Sequence, residues 1–489
     1  MASATAGADV TSSRSVPERA RASATSRPAV MSGAVFALVT STALLVSFSE
    51  SMLIPALPTI QAEYNASAAA VSWVPAIYLL VGAISVPLFG KLGDLYGKKR
   101  MLIVVMSAYS AAVVLDGFAW SLESLLAFRA VQGLGLAMFP LVLSMIHDQM
   151  AESRVPVAVG TVSAMNGVGA AIGLVGGAYI TQTFGWQANY HILAPFAVAL
   201  TLLLWWLAQE SPVHASERID VRGIAVLGLA VTFLLVAISE GGVLGWTSPG
   251  SIALFVLAAA SFAALVLIER RVKDPLLEIG APTFPSALKV NLAMLLAGAA
   301  MFIGFYMVIY YAQEPSVGLG RDVSSAALIL APAALLMLFF APLGGRLAQR
   351  WSPKRVELIG GALVTVAFLL FVPFHSTGPQ MGLVSIVLLA GVSFLLTALS
   401  ISVLALASKE KVGTEVGLNT SFRTIGQAVG VAISGAFLAS FLVPGTVLPS
   451  DEAYALTAAA GAVMGALTVV IVLSLPPISA QGVSGAAVG

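Results

Sequence analysis

The sequence predicts an all-α integral membrane protein of fourteen spans, built as two repeated halves. Three observations predict it. Of 489 residues, 58% are hydrophobic and only 10% charged, against about 25% charged in a soluble domain. Fourteen apolar runs approach the ~20 residues a helix needs to cross a bilayer. A basic helix–loop–helix pattern also recurs. Pro87-Leu88-Phe89-Gly90-Lys91-Leu92 returns 255 positions later as Pro342-Leu343-Gly344-Gly345-Arg346-Leu347, and Lys99-Arg100 returns as Lys354-Arg355. Closed barrels need short alternating strands, whereas these runs are continuously apolar.

Composition also excludes functions. The net charge of +1 implies no nucleic-acid partner. The chain has no cysteine, so it forms neither a disulfide framework nor a thiolate metal site. His147, His191, His214 and His375 are too scattered to suggest a metal cluster. No Gly-x4-Gly-Lys-Ser/Thr pattern occurs, which argues against an ATP-driven pump. No cofactor is expected, and no nucleophile–base pair suggests an enzyme.

In chain order, residues 1–32 are rich in Ser, Ala, Thr and Arg. An Arg- and Ser-rich start can be a transit peptide. A disordered cytoplasmic tail fits better, because a full span follows at once and Asp9 and Glu18 dilute the basic character. The expected spans are 33–55, 71–90, 101–119, 125–147, 157–181, 190–208, 223–241, 250–268, 290–312, 325–345, 357–374, 381–404, 418–442 and 454–475. With the amino terminus inside, 21 of the 24 basic residues fall in cytoplasmic segments and Arg321 alone falls outside. Arg129 and Arg423 lie within spans. Retention of Lys and Arg on the cytoplasmic side explains that asymmetry. The loop Gly90–Arg100 follows span two and its copy follows span ten, so two extra spans sit between six-span halves. The expected divisions are 33–208, a linker at 209–289 holding the extra spans, 290–475, and a disordered tail at 476–489. Such duplication is a common transporter plan.

The residues then resemble a family. Gly90-Lys91-Leu92-Gly93-Asp94-Leu95-Tyr96-Gly97-Lys98-Lys99-Arg100 looks like the signature of the major facilitator superfamily. Trp73-Val74-Pro75-Ala76-Ile77-Tyr78-Leu79-Leu80 and Ala56-Leu57-Pro58 resemble motifs of its fourteen-span drug:proton antiporter branch. Arg129-Ala130-Val131-Gln132-Gly133-Leu134-Gly135 resembles the fourth-span motif, and 413–430 resembles the penultimate helix. The resemblance implies two six-helix bundles, alternating access, and export coupled to proton entry. The chain departs from the branch at Ser49, where Asp is usual, at Gly173-Leu174, where Gly-Pro is usual, and at Gln187, where Arg is usual.

Candidate site residues follow. Glu50 is the only acid well inside the first span. Intramembrane acids are functional candidates by default, and this one would carry a proton or attract a cationic drug. Alternatively it sits at the outer lip, solvated. Arg129 needs acceptors inside the bundle, since a guanidinium does not deprotonate. Glu50 is one candidate partner, and Gln132 shares its helix face. A purely structural hydrogen-bond hub is the alternative. Arg423 reads as a cytoplasmic-end anchor. Phe302, Phe305 and Tyr306 of the ninth span, with Gln313, suit lipophilic ligands or ordinary packing. Tyr78 and Asn166 are further pocket candidates. Trp205 and Trp206 suit an interfacial belt.

The gating candidates lie in the basic loop and the glycine faces. Gly90 would let helices approach closely, and Gly97 suits a left-handed turn. Asp94 would face the amino-terminal end of the thirteenth span near Gly417, where the helix dipole favours an anion. There it would link the bundles in the outward-facing state, with Lys98 and Arg100 completing the loop. The alternative is that the loop only fixes topology. Gly169, Gly173 and Gly177 form one smooth face, repeated by Gly426 and Gly430, and both faces are expected near the inter-bundle seam.

The function expected is proton-driven export of small lipophilic or amphipathic compounds by a monomer in a bacterial inner membrane, with both termini cytoplasmic. Its partners are protons, a small-molecule substrate and the lipid bilayer. Other readings are a dedicated exporter of one metabolite, antibiotic or peptide, a proton-uncoupled transporter or lipid translocator, and a sensor or scaffold on a transporter-like fold.

Overall fold

The computed structural model describes residues 31–151, 154–211, 220–272, 279, 282–407, 412–446 and 448–476. Most of both expected tails and parts of the 209–289 linker lie outside the described residues. Among the described residues the fold is all-helical: α1 (Gly33–Ser51), α2 (Leu57–Glu63), α3 (Ala68–Tyr96), α4 (Lys98–Asp116), α5 (Leu122–Gln132), α6 (Met138–Gln149), α7 (Val155–Phe184), α8 (Gln187–Leu207), α9 (Val221–Leu244), α10 (Pro249–Glu269), α11 (Phe284–Gln313), α12 (Val323–Arg350), α13 (Pro353–Phe371), α14 (Gly378–Leu406), α15 (Val412–Ser440) and α16 (Asp451–Leu473). A 3-10 turn, Gly133–Ala137, joins α5 to α6, so these two realise a single expected run.

Local chemistry sets the helix ends. Ser32, Ser67, Ser121, Ser248 and Asp322 each accept a backbone N–H from the first turn of α1, α3, α5, α10 and α12. These bonds satisfy donors that a helix start leaves open. Gly97 separates α3 from α4 at φ 103°, ψ 133°. Side chains rarely adopt that backbone, so the break needs glycine. A β-carbon there would also lie 2.7 Å from the Glu210 carboxyl carbon.

Among the described residues, twelve helical stretches, counting Leu122–Gln149 as one, are long and apolar enough to cross a membrane. Fourteen were expected. The two outside that set are α4 and α13, of 19 residues each. Their first turns carry Lys98, Lys99 and Arg100, or Lys354, Arg355 and Glu357, and those charges lower the apolar character of the whole helix.

Packing repeats between the halves. α7 lies along α1, and α15 along α11. A β-carbon on Gly173 would be 2.5 Å from the Phe48 carbonyl oxygen, and one on Gly430 would be 2.3 Å from that of Ala299. Such approaches demand glycine. α7 and α15, the helices that carry these glycines, lie at the inter-bundle seam as expected, while the glycine faces turn to a partner within each half. They pack on the first helix of their own half, because only bare backbone lets two helices come so close. The seam is formed by α3 with α15 and α7 with α12. α9 and α10 pair with each other, and α9 rests beside α3 and α15.

The halves are joined at one end. Opposite the basic loops, Ser324 N donates to Gln182 Oε1 at 2.9 Å, Gln313 Nε2 donates to the Pro55 carbonyl at 2.9 Å, and Gly435 packs on Ser72. At the basic end, added β-carbons on Gly90, Gly160 and Gly417 would meet open space. Gly90 therefore supports no close helix approach in this conformation.

Candidate functional site

Between the halves lies a small cavity of about 40 Å³. α1 supplies Thr42, Ser47 and Glu50, α7 supplies Asn166, and α15 supplies Thr420, Arg423 and Thr424. Val46, Val86, Leu136, Met138 and Phe139 complete its apolar wall. Glu50 and Asn166, both expected in a pocket, share this one. Arg423 joins them, so its reading as an end anchor is corrected. α15 brings Arg423 to the cavity wall one turn after Asn419, whose side chain donates to Asn291 Oδ1 at 2.8 Å. The Arg423 Nε is buried without a hydrogen-bond partner. Arg423 and Arg129 are the two cations whose fields reach Glu50.

Behind the cavity lies a buried polar network. Arg129 Nη1 donates to Gln132 Oε1 at 2.5 Å, and Gln132 Nε2 donates to Ser49 Oγ at 2.8 Å. Arg129 Nε donates to the Val74 carbonyl at 3.3 Å, and the guanidinium sits 4.4 Å from the centre of the Tyr78 ring. Ser49, one residue before Glu50, points to this network while Glu50 points to the cavity. Successive residues on a helix face different directions, so one turn of α1 serves both sites. The expected Arg129–Gln132 pairing is present. Tyr78 belongs to this network and not to the cavity wall.

Asp116 was missed by sequence reading. It is fully buried at the end of α4, neither carboxyl oxygen has a hydrogen-bond partner, and Arg129 is the cation acting on it. An acid inside the 101–119 run was the available signal. Glu357 was also passed over. It is buried in α13 and accepts a hydrogen bond from Ser402 Oγ.

Several expected site residues lie elsewhere. Gln313 braces the closed end, beside Arg321 and Asp322. Phe302 and Tyr306 are buried in the core around α11, with the Tyr306 and Tyr310 rings stacked at 5.1 Å. The Phe302 and Phe305 rings lie 5.7 Å apart. These three aromatic residues pack within the second half and do not line the cavity, because α11 is wrapped by α14, α15 and α16.

In the basic loop, Lys98 Nζ contacts Asp148 Oδ2 at 2.6 Å and Asp94 Oδ1 at 3.7 Å. Glu210 accepts from Lys99 N at 2.8 Å and Arg100 N at 3.2 Å. The loop is thus tied to α6 and to the end of the α8 segment. Asp94 remains half-exposed, paired within its own loop.

A chain of paired helical halves with a cavity between them, and ionisable residues inside the membrane region, is a transporter architecture. The chain belongs to the Major Facilitator Superfamily, whose sequence profile matches residues 39–431 and again 292–487. It is 28% identical over 419 residues to the tetracenomycin C resistance and export protein of Streptomyces glaucescens, covering 84% of this chain and 76% of that one. It is 25% identical over 409 residues to the multidrug resistance protein Stp of Mycobacterium tuberculosis, covering 83% and 76%. The probable actinorhodin transporter of Streptomyces coelicolor is 28% identical over 400 residues, covering 78% and 68%. Among solved structures, an auto-inhibited POT family peptide transporter aligns at a TM-score of 0.66 with 16% identity, covering 91% of this chain and 98% of that one. That likeness shows the fold.

Proposed function

We propose that the chain is a proton-coupled exporter of small lipophilic or amphipathic compounds, working by alternating access. The observation that carries this is Glu50, an acid in a cavity between the two halves, facing Arg423 of the opposite half. A carboxyl group placed there can exchange a proton with whichever side is wet, and a substrate filling the cavity would compete for it. The relative named as a resistance and export protein supports the direction of transport.

Within this proposal α4 and α13 also cross the membrane, giving fourteen spans, six in each of 33–208 and 290–475. Their length supports it, and their charged first turns suit a cytoplasmic boundary. The basic end is then cytoplasmic, and the conformation described is inward-facing. The chain would belong to the fourteen-span drug:proton antiporter branch and act as a monomer in a bacterial inner membrane. Asp94 would close against α15 in the outward-facing state and release in this one, with Gly97, Lys98 and Arg100 holding the loop's shape.

The test is flux in proteoliposomes across an imposed pH gradient, with cationic, neutral and anionic candidates. An inward-directed proton gradient should drive substrate out, and Glu50→Gln should remove that drive. Unchanged gradient-driven transport in Glu50→Gln would refute coupling through this residue. A second proposal, export of one dedicated compound, draws on relatives named for single compounds and predicts flux of one member of a broad panel.

A further inference from the structure

The polar groups of the cavity narrow the substrate class, resting on the exporter proposal above. Glu50 supplies an acceptor from the first half and Arg423 supplies donors from the second, and the two line one cavity. Arg423 Nε is buried and has no hydrogen-bond partner. The charged groups facing Glu50 are Arg423 from α15 and Arg129 from α5, and Tyr78 of α3 is the titratable group that also feels it. Arg129 is already engaged by Gln132 and Val74, which leaves Arg423 as the cation free to meet a ligand.

A cavity with one fixed charge of each sign disfavours an ion of either sign. A cation drawn to Glu50 is repelled by Arg423, and an anion meets the reverse. Neither recovers the cost of leaving water. A molecule without net charge that donates to Glu50 and accepts from Arg423 satisfies both groups at once. Val46, Val86, Leu136, Met138 and Phe139 line the same small cavity and present an apolar wall to the rest of the molecule once the halves move to admit it.

We infer that the substrate is an uncharged amphipathic compound bearing a hydroxyl or amide donor for Glu50 and a carbonyl-type acceptor for Arg423. Such a ligand needs Glu50 ionised, because a protonated carboxyl loses part of its accepting capacity. Proton and substrate therefore compete for one group, which is the condition antiport requires.

The experiment is calorimetric binding to the purified chain in detergent, with four probes on one ring system: 6-hydroxy-2-naphthamide, 2-naphthoate, 2-naphthylmethylammonium and naphthalene. The hydroxy-amide should bind about tenfold more tightly than either ion, the ratio expected from one well-made hydrogen bond to a charged group. Its affinity should fall as the pH is lowered in the native chain and stay flat in Glu50→Gln. Arg423→Gln should weaken it by about tenfold. The inference is overturned if either ion binds as tightly as the hydroxy-amide in the native chain, an outcome that does not depend on how any variant folds. It is also overturned if folded Glu50→Gln and Arg423→Gln both keep the native ranking. Flux separates the two proposals. The expected ranking without proton-driven transport of the hydroxy-amide sinks the exporter proposal alone, and proton-driven flux with a different ranking sinks only this one.

Discussion

Glu50 of α1 and Arg423 of α15 line one cavity from opposite halves of the chain, 373 residues apart in sequence. Neither half contains both charges of this site, so the cavity's electrostatics depend on how the halves dock. Any rocking of one half against the other changes the distance between them.

The network behind the cavity predicts coupling between Arg129 and Asp116. Arg129→Ala should cost about 1–3 kcal/mol, because it leaves Gln132 Oε1 and the Val74 carbonyl buried without their donor, and it also takes from Asp116 the nearby cation. Asp116→Asn in the same chain should recover part of that loss. A double-mutant cycle on detergent unfolding measures it, and additive effects would show that the two residues do not interact.

The closed end predicts a latch. Ser324 N bonds Gln182 Oε1 across the halves, and the chain has no native cysteine. Gln182→Cys with Ser324→Cys, joined by a short reducible cross-linker, should abolish transport, and reduction should restore it. Full activity of the cross-linked protein would mean that this end never opens.

Helix pairing predicts which glycines matter for stability. A β-carbon at Gly426 would lie 1.9 Å from the Leu295 carbonyl oxygen, whereas one at Gly160 meets nothing within 4 Å. Gly426→Ala should therefore destabilise by about 1–3 kcal/mol through overpacking. Gly160→Ala should be neutral or slightly stabilising. Melting temperatures of the two variants against the native chain decide this.

A pH effect follows from the cap of α12. The backbone N–H of Ser325, with its hydroxyl, holds Asp322 below the usual carboxylate range. A lowered value means the ionised form is the one favoured by folding. The cap's contribution is present above the ordinary Asp range and is lost as pH falls through the lowered value. Asp322 is almost fully exposed, so water screens the effect and it should be small. Asp322→Asn, which still caps, should flatten the fall in melting temperature between pH 5 and pH 3.

Much of this architecture was legible in the residues. Glu50 stood out because an acid in an apolar run is costly wherever it lies. The equivalence of Gly173 and Gly430 showed in their spacing, and their close approach to a helix backbone followed from having no side chain. Their partner was not legible, since a smooth face does not say which helix fills it. Arg423 looked like an end anchor because depth within a helix cannot be read from a linear run. Phe302, Phe305 and Tyr306 looked like a ligand face because an aromatic stripe reads alike in a core and in a pocket. Asp116 went unnoticed because its importance comes from Arg129 and the helices that shut it from water.

The sequence by itself determined that the chain is helical and membrane-embedded, that its halves repeat, and which end carries the basic loops. Each of these follows from hydropathy, charge and glycine spacing along a single strand of residues, where one dimension suffices. Tertiary structure alone decided that Glu50 shares a cavity with Arg423, that Gln313 braces the closed end, and that Asp116 is sealed from water where Arg129 acts on it. Those are distances between helices far apart in the chain, and they depend on how whole helices pack, which no local pattern specifies.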